Sequence, residues 1–443
     1  MASPQGSAAG IVALLKDMEK EKLAPNAYIC QRALAALAVH PDYILRQRVL
    51  AIMRERWFTI DQTSQQYVAL GLLRDGQHEL AYEKLAALAE DHASVDLWVY
   101  DIFIMVFGRA KFLDEMLQLF IDRKQAGQND TAYLSLAYYV LDVCSTAFHY
   151  AGTSLIWTLT VRNGVLKPSD GMLENVLATA SREGDYDLAS QVISMMSDRG
   201  RVHEQHYDAL VEAFATGNNL EGALRMMRIM ARSTSHISRS HVRPIYSLLL
   251  REPQLVDEAS DILRDLAKDD PVPWAVVGAV IEASAERQGS QAALDLYQDV
   301  ELLTGRSDHH VNTIQTMIIH CSEDSLRARL IADYKERVAA GVDTSSTTRQ
   351  PSVAHALVTS FLDMDELRLA MHTAKDYAKA HASQKELIPW LAPLAQKAVV
   401  AQDVGIWDLM DILRDAGHQN AADILIRAAQ RGREMSAAEA IAS

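Results

Sequence analysis

Residues 170–204 have the sequence DGMLENVLATASREGDYDLASQVISMMSDRGRVHE, a stretch of 35 residues that decides the fold. Apolar side chains recur at helical spacing in Leu173–Arg182 and again in Leu188–Arg199, which predicts two amphipathic helices. The polar break Glu183-Gly184-Asp185 separates the helices, and Gly200 begins the turn that follows. The stretch therefore predicts one helix-turn-helix module.

The same module returns along most of the chain. Blocks 27–61, 62–96 and 97–131 align with one another, and each contains a first helix, a polar break, a second helix and a turn. A fixed period of this size indicates a solenoid, because one helix pair cannot bury its apolar face without stacked neighbours. We therefore predict an all-α fold, a right-handed superhelical solenoid of about ten helix-turn-helix repeats.

A small residue marks the predicted crossing of the two helices in each module, because it permits their close approach. The alanines at this position are Ala81, Ala189, Ala223, Ala259, Ala293, Ala328 and Ala370. The last six are separated by 34, 36, 34, 35 and 42 residues, so the final interval predicts an insertion around Ala340–Arg349.

The chain is predicted to have three parts. Residues 1–26 form an N-terminal cap or partial repeat, because Ile11–Leu23 has the pattern of a second helix without a visible first helix. Residues 27–385 form the repeat array. Residues 386–443 form a C-terminal cap of two or three helices, since the 35-residue pattern ends there.

The composition indicates a folded protein with an acidic balance. The 443 residues are 49% hydrophobic and 23% charged, and 43 basic against 58 acidic residues give a net charge of −15. This balance counts against nucleic-acid binding, which usually needs a basic surface, although a local basic stripe is compatible with it. No apolar segment reaches transmembrane length, and the first residues match neither a signal peptide nor an Arg-rich presequence.

The sequence contains no arrangement of residues typical of an enzyme. Cys30, Cys144 and Cys321 are far apart without any CxxC, and His309-His310 and His320-Cys321 lack partner ligands at zinc spacing. The motifs of serine hydrolases, phosphate loops and deaminases do not occur either. We therefore expect no catalytic residue, no metal and no cofactor.

The turn and second helix in Asp185–Gly200 resemble the pentatricopeptide repeat, and so does Leu14–Asn26. The resemblance extends over about residues 11–385, and Leu97–Ile104 is similar to fungal mitochondrial members of the family. The tetratricopeptide repeat is the alternative, but its period is 34 residues and its Trp-Leu-Gly-Tyr signature is missing here.

The resemblance implies that single-stranded RNA lies along the concave face made by the first helices, at roughly one base per repeat. In this family the fifth residue and the last residue of a repeat select the base. The pairs at these positions are Gln31/Asp61, Gln66/Asp96, Asp101/Thr131 and Glu174/Glu204. Pairs with a recognised base preference carry Asn, Ser or Thr in the fifth position, so no target sequence is assigned.

Two further positions of the repeat favour RNA. In this family a residue near the end of the first helix approaches phosphate. At this position the chain has Arg74, Arg109 and Arg182. They predict a row of cations along the first helices, which we call the basic rail. The second residue of the repeat, which the resemblance places between bases, is Tyr28 or Trp98. Stacking of a base on an aromatic ring contributes about 1–3 kcal/mol.

Structural interpretations of these residues stay open. An arginine at the end of a helix often complements the helix dipole, and Tyr28 and Trp98 can pack in the core or between repeats. Asp101, Glu174 and Asp208 on the concave side would repel phosphate and suit a basic protein partner.

The resemblance implies a non-enzymatic RNA-binding adaptor of the mitochondrial matrix, which acts in RNA processing, stability or translation on a mitochondrial transcript or ribosomal RNA. The alternative is a protein-binding scaffold of a mitochondrial ribosome or of respiratory-complex assembly, also without a membrane span. The arginine rail favours RNA, whereas the acidic balance and the missing base preference favour the scaffold.

Overall fold

The computed structural model describes residues 6–90, 95–127, 131–233, 237–307, 309–340, 351–379 and 384–442. Within these ranges the chain consists of helices joined by short turns, and none of the described residues lies in a β-strand. The all-α prediction is confirmed. None of the helices in these ranges is both long enough and apolar enough to cross a lipid bilayer.

The chain divides into two compact units, and the first comprises residues 1–183 and 187–202. Its helices are α1 (Ala8–Lys20), α2 (Ala27–Val39), α3 (Tyr43–Glu55), α4 (Gln62–Arg74), α5 (His78–Glu90), α6 (Leu97–Ala110), α7 (Leu113–Ala126), α8 (Thr131–Thr146), α9 (Tyr150–Ile156), α10 (Asp170–Glu183) and most of α11 (Tyr186–Asp198). A π-helical turn over Trp157–Val161 extends α9.

The first helices of this unit form one continuous layer, in which α2, α4, α6, α8 and α10 each contact the next. The second helices α3, α5, α7 and α9 pack against their own first helices. Each helix pair therefore buries its apolar face on a neighbouring pair, which is the arrangement of a helical-repeat solenoid.

The second unit comprises residues 184–186 and 203–443. Its helices are α12 (Glu204–Thr216), α13 (Leu220–Ser233), α14 (Arg239–Arg251), α15 (Leu255–Leu266), α16 (Trp274–Gln288), α17 (Leu294–Gln298), α18 (Val300–Thr304), α19 (Val311–Ile319), α20 (Asp324–Ala339), α21 (Pro351–Asp363), α22 (Leu367–Lys379), α23 (Gln384–Val400), α24 (Gly405–Asp415) and α25 (Gln419–Ala442).

The second unit repeats the layered arrangement. The first helices α12, α14, α16, α19, α21 and α23 contact one another in that order, and α25 packs against α23 and α24. A single hydrophobic core extends from Val211 to Ala429. The predicted repeat solenoid is thus confirmed in its local architecture, while the right-handed sense and the domain boundaries at residues 26 and 385 stay predictions.

The predicted crossing position is buried in all but one module. The buried alanines are Ala81, Ala189, Ala223, Ala259, Ala293 and Ala370. The prediction is wrong for Ala328, which is exposed because α20 turns Leu326, Leu330 and Ile331 inward. Ala328 lies two positions from the first two of these residues, and two positions along a helix lead to the opposite face. Most of the insertion predicted around Ala340–Arg349 falls outside the described residues.

A buried ion pair fastens α3 to the next module in the first unit. Arg46 is buried, and its Nη2 lies 2.6 Å from Oδ2 of Asp75, the residue that follows α4 as its C-cap. The guanidinium lies so close to Gly71 of α4 that a Cβ there would be 2.7 Å from Nη1. Moving Arg46 away from Asp75 would be unfavourable, because an uncompensated buried charge raises the free energy by about 3–5 kcal/mol.

Gly71→Ala is therefore expected to lower the free energy of unfolding by about 1–3 kcal/mol, since the added methyl group overpacks the buried guanidinium. Urea denaturation followed by circular dichroism measures the change. Gly171→Ala on α10 is the matched control, because a Cβ at this position meets no atom within 4 Å. The control should leave stability unchanged or raise it by up to about 1 kcal/mol, and equal losses in the two variants would contradict the account.

Candidate nucleic-acid interface

The three arginines of the predicted rail are exposed and lie near the C-terminal ends of first helices. Arg74 ends α4, and its Nη1 donates a hydrogen bond of 2.9 Å to the carbonyl oxygen of Val39, the last residue of α2. Arg182 on α10 lies over the ring of Phe148 in the turn after α8, with its guanidinium carbon 3.5 Å from the ring centroid. Both side chains therefore contact the preceding first helix or its turn.

Arg109 makes the fewest contacts of the three arginines. It lies in the last turn of α6, and it forms no hydrogen bond or ion pair with any residue in the described part of the chain. Its guanidinium is exposed. Arg109 is thus the member of the rail whose donors are most accessible to a ligand in this structure.

The contact made by Arg74 recurs in the second unit, where the sequence had not singled it out. Arg251 of α14 donates to the carbonyl oxygen of Ala215 at 3.3 Å, Arg287 of α16 donates to that of Leu250, and Lys397 of α23 donates to that of Leu362. We call a basic residue in this position a capping cation. It neutralises the partial negative charge at the end of the preceding first helix and joins two repeats.

The residues in the base-selecting positions are partly used inside the first unit. Gln66 is only 2% exposed, and its Oε1 accepts a hydrogen bond of 3.2 Å from the backbone N–H of Asp96. Asp61 is exposed, and its Oδ1 accepts from the N–H of Ser64 at 3.2 Å, so it caps the start of α4. The Gln66 side chain therefore links the fifth and last positions of its own repeat.

The remaining pairs differ in their surroundings. Gln31 is half-buried, and Asp96, Glu174 and Glu204 are exposed, while the side chain of Thr131 lies outside the described residues.

Asp101 does not present an uncompensated charge. Its Oδ1 lies 2.6 Å from Nε of Arg123, which is buried on α7. The ion pair offsets the carboxylate, so the repulsion of phosphate expected at this position is reduced. In the second unit, burial raises the pKa of the Asp208 carboxyl group, while His241 acts against burial and Glu204 acts in the same sense.

The two aromatic residues of the predicted interface lie in the first turns of α2 and α6. Tyr28 is 62% exposed and Trp98 is 44% exposed, so neither ring is part of the hydrophobic core. The Arg32 guanidinium lies 5.2 Å from the ring centroid of Tyr28. Both rings therefore have surface available for stacking.

No group of three or more His, Cys, Asp or Glu side chains in the described ranges is placed to hold a metal ion. Cys30, Cys144 and Cys321 are buried as free thiols. Burial raises the pKa of Cys144 to about 12, which keeps its sulfur protonated.

Stacked helix pairs with continuous layers of first helices define a helical-repeat protein. Residues 170–300 match the family model described as pentatricopeptide repeat-containing protein. The predicted resemblance to the pentatricopeptide repeat family is thereby confirmed over these residues. No curated protein matches the sequence.

Two solved structures of the maize protein PPR10 are similar to this chain. The crystal structure of the pentatricopeptide repeat protein PPR10 from maize shares 13% identity over 95% of this chain and 72% of its own, with a TM-score of 0.28. PPR10 in complex with an 18-nucleotide psaJ RNA element shares 13% identity over 96% of this chain and 66% of its own, with a TM-score of 0.31. Because these scores are low, the fold assignment depends on the chain's own helices and on the family match.

Arg74→Ala is expected to lower the free energy of unfolding by about 0.5–1.5 kcal/mol, because the Val39 carbonyl loses its donor at the joint between two repeats. Arg109→Ala is the matched control and should leave stability unchanged, since this residue bridges no described neighbour. Urea denaturation of the two variants measures the difference. Equal stability of both variants would show that the capping contact contributes nothing.

Proposed function

We propose that this chain is an RNA-binding adaptor without catalytic activity, which holds single-stranded RNA along the first helices of the first unit. The family resemblance supports an RNA ligand. The observation that carries the proposal is the placement of Arg74, Arg109 and Arg182 at one position of three first helices, all with exposed guanidiniums. Cations repeated along one layer suit the phosphate backbone of a strand.

The two ends of the same helix layer offer different chemistry. The arginines lie at the C-terminal ends of α4, α6 and α10, whereas Tyr28 and Trp98 lie in the first turns of α2 and α6. Phosphate contacts at one end and exposed rings at the other suit the backbone and the bases of a strand. Arg74 can serve both as capping cation and as phosphate ligand, because a guanidinium carries five N–H donors and only one of them is used at Val39.

Binding through phosphate and stacking predicts little base selection. Gln66 is buried and Asp101 is paired with Arg123, so two of the base-selecting side chains are occupied within the protein. Contacts to phosphate position a strand without reading its sequence. We therefore propose that selectivity for a particular RNA comes from elsewhere, through its context or through a partner protein.

Replacing Arg74, Arg109 and Arg182 together with Gln is expected to weaken binding of a labelled oligouridylate and to reduce its salt dependence. The slope of log affinity against log salt should fall by about 2, since each phosphate contact on a single strand contributes about 0.7. Fluorescence anisotropy over a salt series measures both quantities. Gln keeps polar side chains at the helix ends, and circular dichroism checks the fold.

The matched control replaces Arg54, Lys84 and Lys124 with Gln, because these cations lie on the second helices α3, α5 and α7. Its net charge changes by the same amount. If both triple variants lose affinity equally, the effect is that of overall charge and the rail has no special role. Unchanged affinity in the rail variant would remove these arginines from the mechanism.

We further propose that the protein acts in the mitochondrial matrix, in RNA processing, stability or translation, as the family resemblance implies. Ultraviolet crosslinking of the tagged protein in its own cells, followed by sequencing of the attached RNA, tests this. Enrichment of one or a few mitochondrial transcripts supports the proposal. Ribosomal RNA alone indicates a ribosome-bound component, and recovery of cytosolic transcripts only would contradict the compartment.

A protein-binding scaffold is the second candidate, favoured by one feature of the second unit. A groove of about 820 Å³ lies along α14, α16, α19 and α21, and its lining includes Glu286 and Glu282, the second of which is paired with Arg239 of the same lining. Together with the net charge of −15, this surface suits a basic segment of a ribosomal or assembly partner. Association with such a partner that persists in the rail variant and after ribonuclease treatment would support the scaffold.

A further inference from the structure

Four of the turns that join one repeat to the next in the first unit share a backbone geometry. The turn after α1 has Lys22 at a φ of 54°, and the turn after α3 has Trp57 at 56°. The turns after the π-helical segment and after α11 have Gly164 at 71° and Gly200 at 63°. In each turn the next residue donates a backbone hydrogen bond back into the preceding helix. This is the left-handed C-terminal cap of a helix, a position that favours glycine.

The fold does not explain the tryptophan at this position. A bulky residue at positive φ is uncommon, because its Cβ crowds the following carbonyl oxygen. The indole of Trp57 is 92% exposed, so it contributes little to the core, and its side chain forms no hydrogen bond or ring contact with a described residue. Glycine occupies the same position in two other turns. A strained and exposed residue of this kind indicates a contact outside the chain.

Two neighbouring turns also present apolar side chains to solvent. Leu23 is 60% exposed and Val165 is 54% exposed, and each directly follows the left-handed residue of its turn. The turns lie at one edge of the unit because the first helices run in the same direction. The N–H of Asp96, just before α6, donates to Gln66 near the start of α4, which brings the starts of successive first helices together. Leu23, Trp57 and Val165 therefore share this edge.

The same turns carry an excess of positive charge. Residues 20–26, 54–60 and 161–169 contain six basic and two acidic residues, although the whole chain has a net charge of −15. Five of the six basic side chains are exposed and form no hydrogen bond or ion pair with any residue in the described ranges: Lys22, Arg54, Arg56, Arg162 and Lys167. We call Leu23, Trp57 and Val165, together with these five cations, the turn edge.

The carboxylates that adjoin the turn edge are partly engaged. Oδ1 of Asp61 accepts a hydrogen bond of 3.2 Å from the N–H of Ser64, and Oδ1 of Asp170 lies 2.6 Å from Nη1 of Arg199. Glu21 and Glu55 are exposed within the turns. Since five unpaired cations face these two acidic side chains, the turn edge is positive on balance and suits an anionic surface.

We propose that the turn edge docks on the surface of an anionic phospholipid bilayer. The side chains of Leu23, Trp57 and Val165 enter the headgroup region, and the cations of their turns face the lipid phosphates. Tryptophan is enriched at the membrane–water interface, where its ring is half apolar and its N–H stays wet. Attachment of this kind grows with the apolar area buried and with attraction to anionic lipids, and the turn edge offers both.

A lipid surface fits the turn edge better than an RNA strand does. Leu23 and Val165 are aliphatic, so they have no ring on which a base could stack, whereas removal of their surface from water is favourable at a lipid interface. Residues at the tips of turns can also reach a plane together without any helix leaving its packing. The proposal goes beyond RNA binding and does not rest on it.

Vesicle flotation of the full chain tests the proposal. Vesicles of phosphatidylcholine alone are compared with vesicles in which one third of the lipid is phosphatidylglycerol. The partition coefficient should be at least about tenfold higher for the anionic vesicles, because each Lys or Arg near such a surface contributes about fivefold. The difference should shrink as salt is added, since the cations are exposed.

Trp57→Gly should lower partition into the anionic vesicles at least about fivefold, because the inserted indole is lost. The variant should unfold at the same temperature as the parent chain or higher, since glycine suits a φ of 56°. This separates contact with lipid from folding. Leu302→Ala is the control, because it removes an apolar side chain that is 78% exposed in the second unit. The control should partition as the parent chain does.

Arg56→Gln combined with Lys167→Gln should lower partition at least about tenfold, since two cations of the turn edge are removed. The matched control combines Arg243→Gln with Arg368→Gln, two exposed arginines of the second unit. Both double variants change the net charge by the same amount. Equal losses in the two would assign the effect to overall charge and overturn the proposal.

The remaining outcomes are also decisive. Equal partition into both kinds of vesicle, or none into either, overturns the proposal, as does unchanged partition of Trp57→Gly. Fluorescence anisotropy with the labelled oligouridylate should give Trp57→Gly its full RNA affinity. Lost RNA affinity with unchanged vesicle binding would assign the turn edge to RNA instead. Because Tyr28, Trp98 and the basic rail are intact in these variants, failure of the lipid proposal leaves the proposed RNA function standing.

Discussion

The structure depends on the fact that a single pair of amphipathic helices cannot remove its apolar face from water. Each first helix therefore packs on the first helix before it, and the layer continues until a unit ends. Burial alone would allow such layers to slide, because hydrophobic attraction has no direction. The capping cations add direction. Arg74, Arg251, Arg287 and Lys397 each bind a carbonyl group at the end of the preceding first helix, so the repeats are joined at a defined position.

The basic residues at these joints have two possible roles in the candidate interface. A basic residue at the end of a first helix stabilises the stack, and it also places a cation on the surface where a strand would lie. Arg74 has one donor committed to Val39, Arg182 lies over an aromatic ring, and Arg109 is accessible. A guanidinium can meet both demands because its donors point in several directions. Stability and the proposed binding therefore depend on the same residues in this fold.

The acidic composition is compatible with an anionic ligand because the charges are arranged locally. Asp101 is paired with Arg123, Asp75 with Arg46 and Glu282 with Arg239. Pairing of this kind offsets each of these carboxylates locally. Net charge describes long-range attraction and solubility, but a ligand in contact responds to the groups within a few ångströms.

The sequence by itself determined the helices, their turns and the resemblance to a repeat family, because these depend on local spacing of apolar residues and on a repeat that is visible in one dimension. It also located the exposed arginines and the two aromatic rings. Only the tertiary structure decided that Gln66 is buried, that Asp101 is paired, that Arg74 caps α2 and that Ala328 points outward. Each of these depends on the rotation of a helix about its own axis relative to its neighbours. Small differences in helix length change this rotation without altering the repeat.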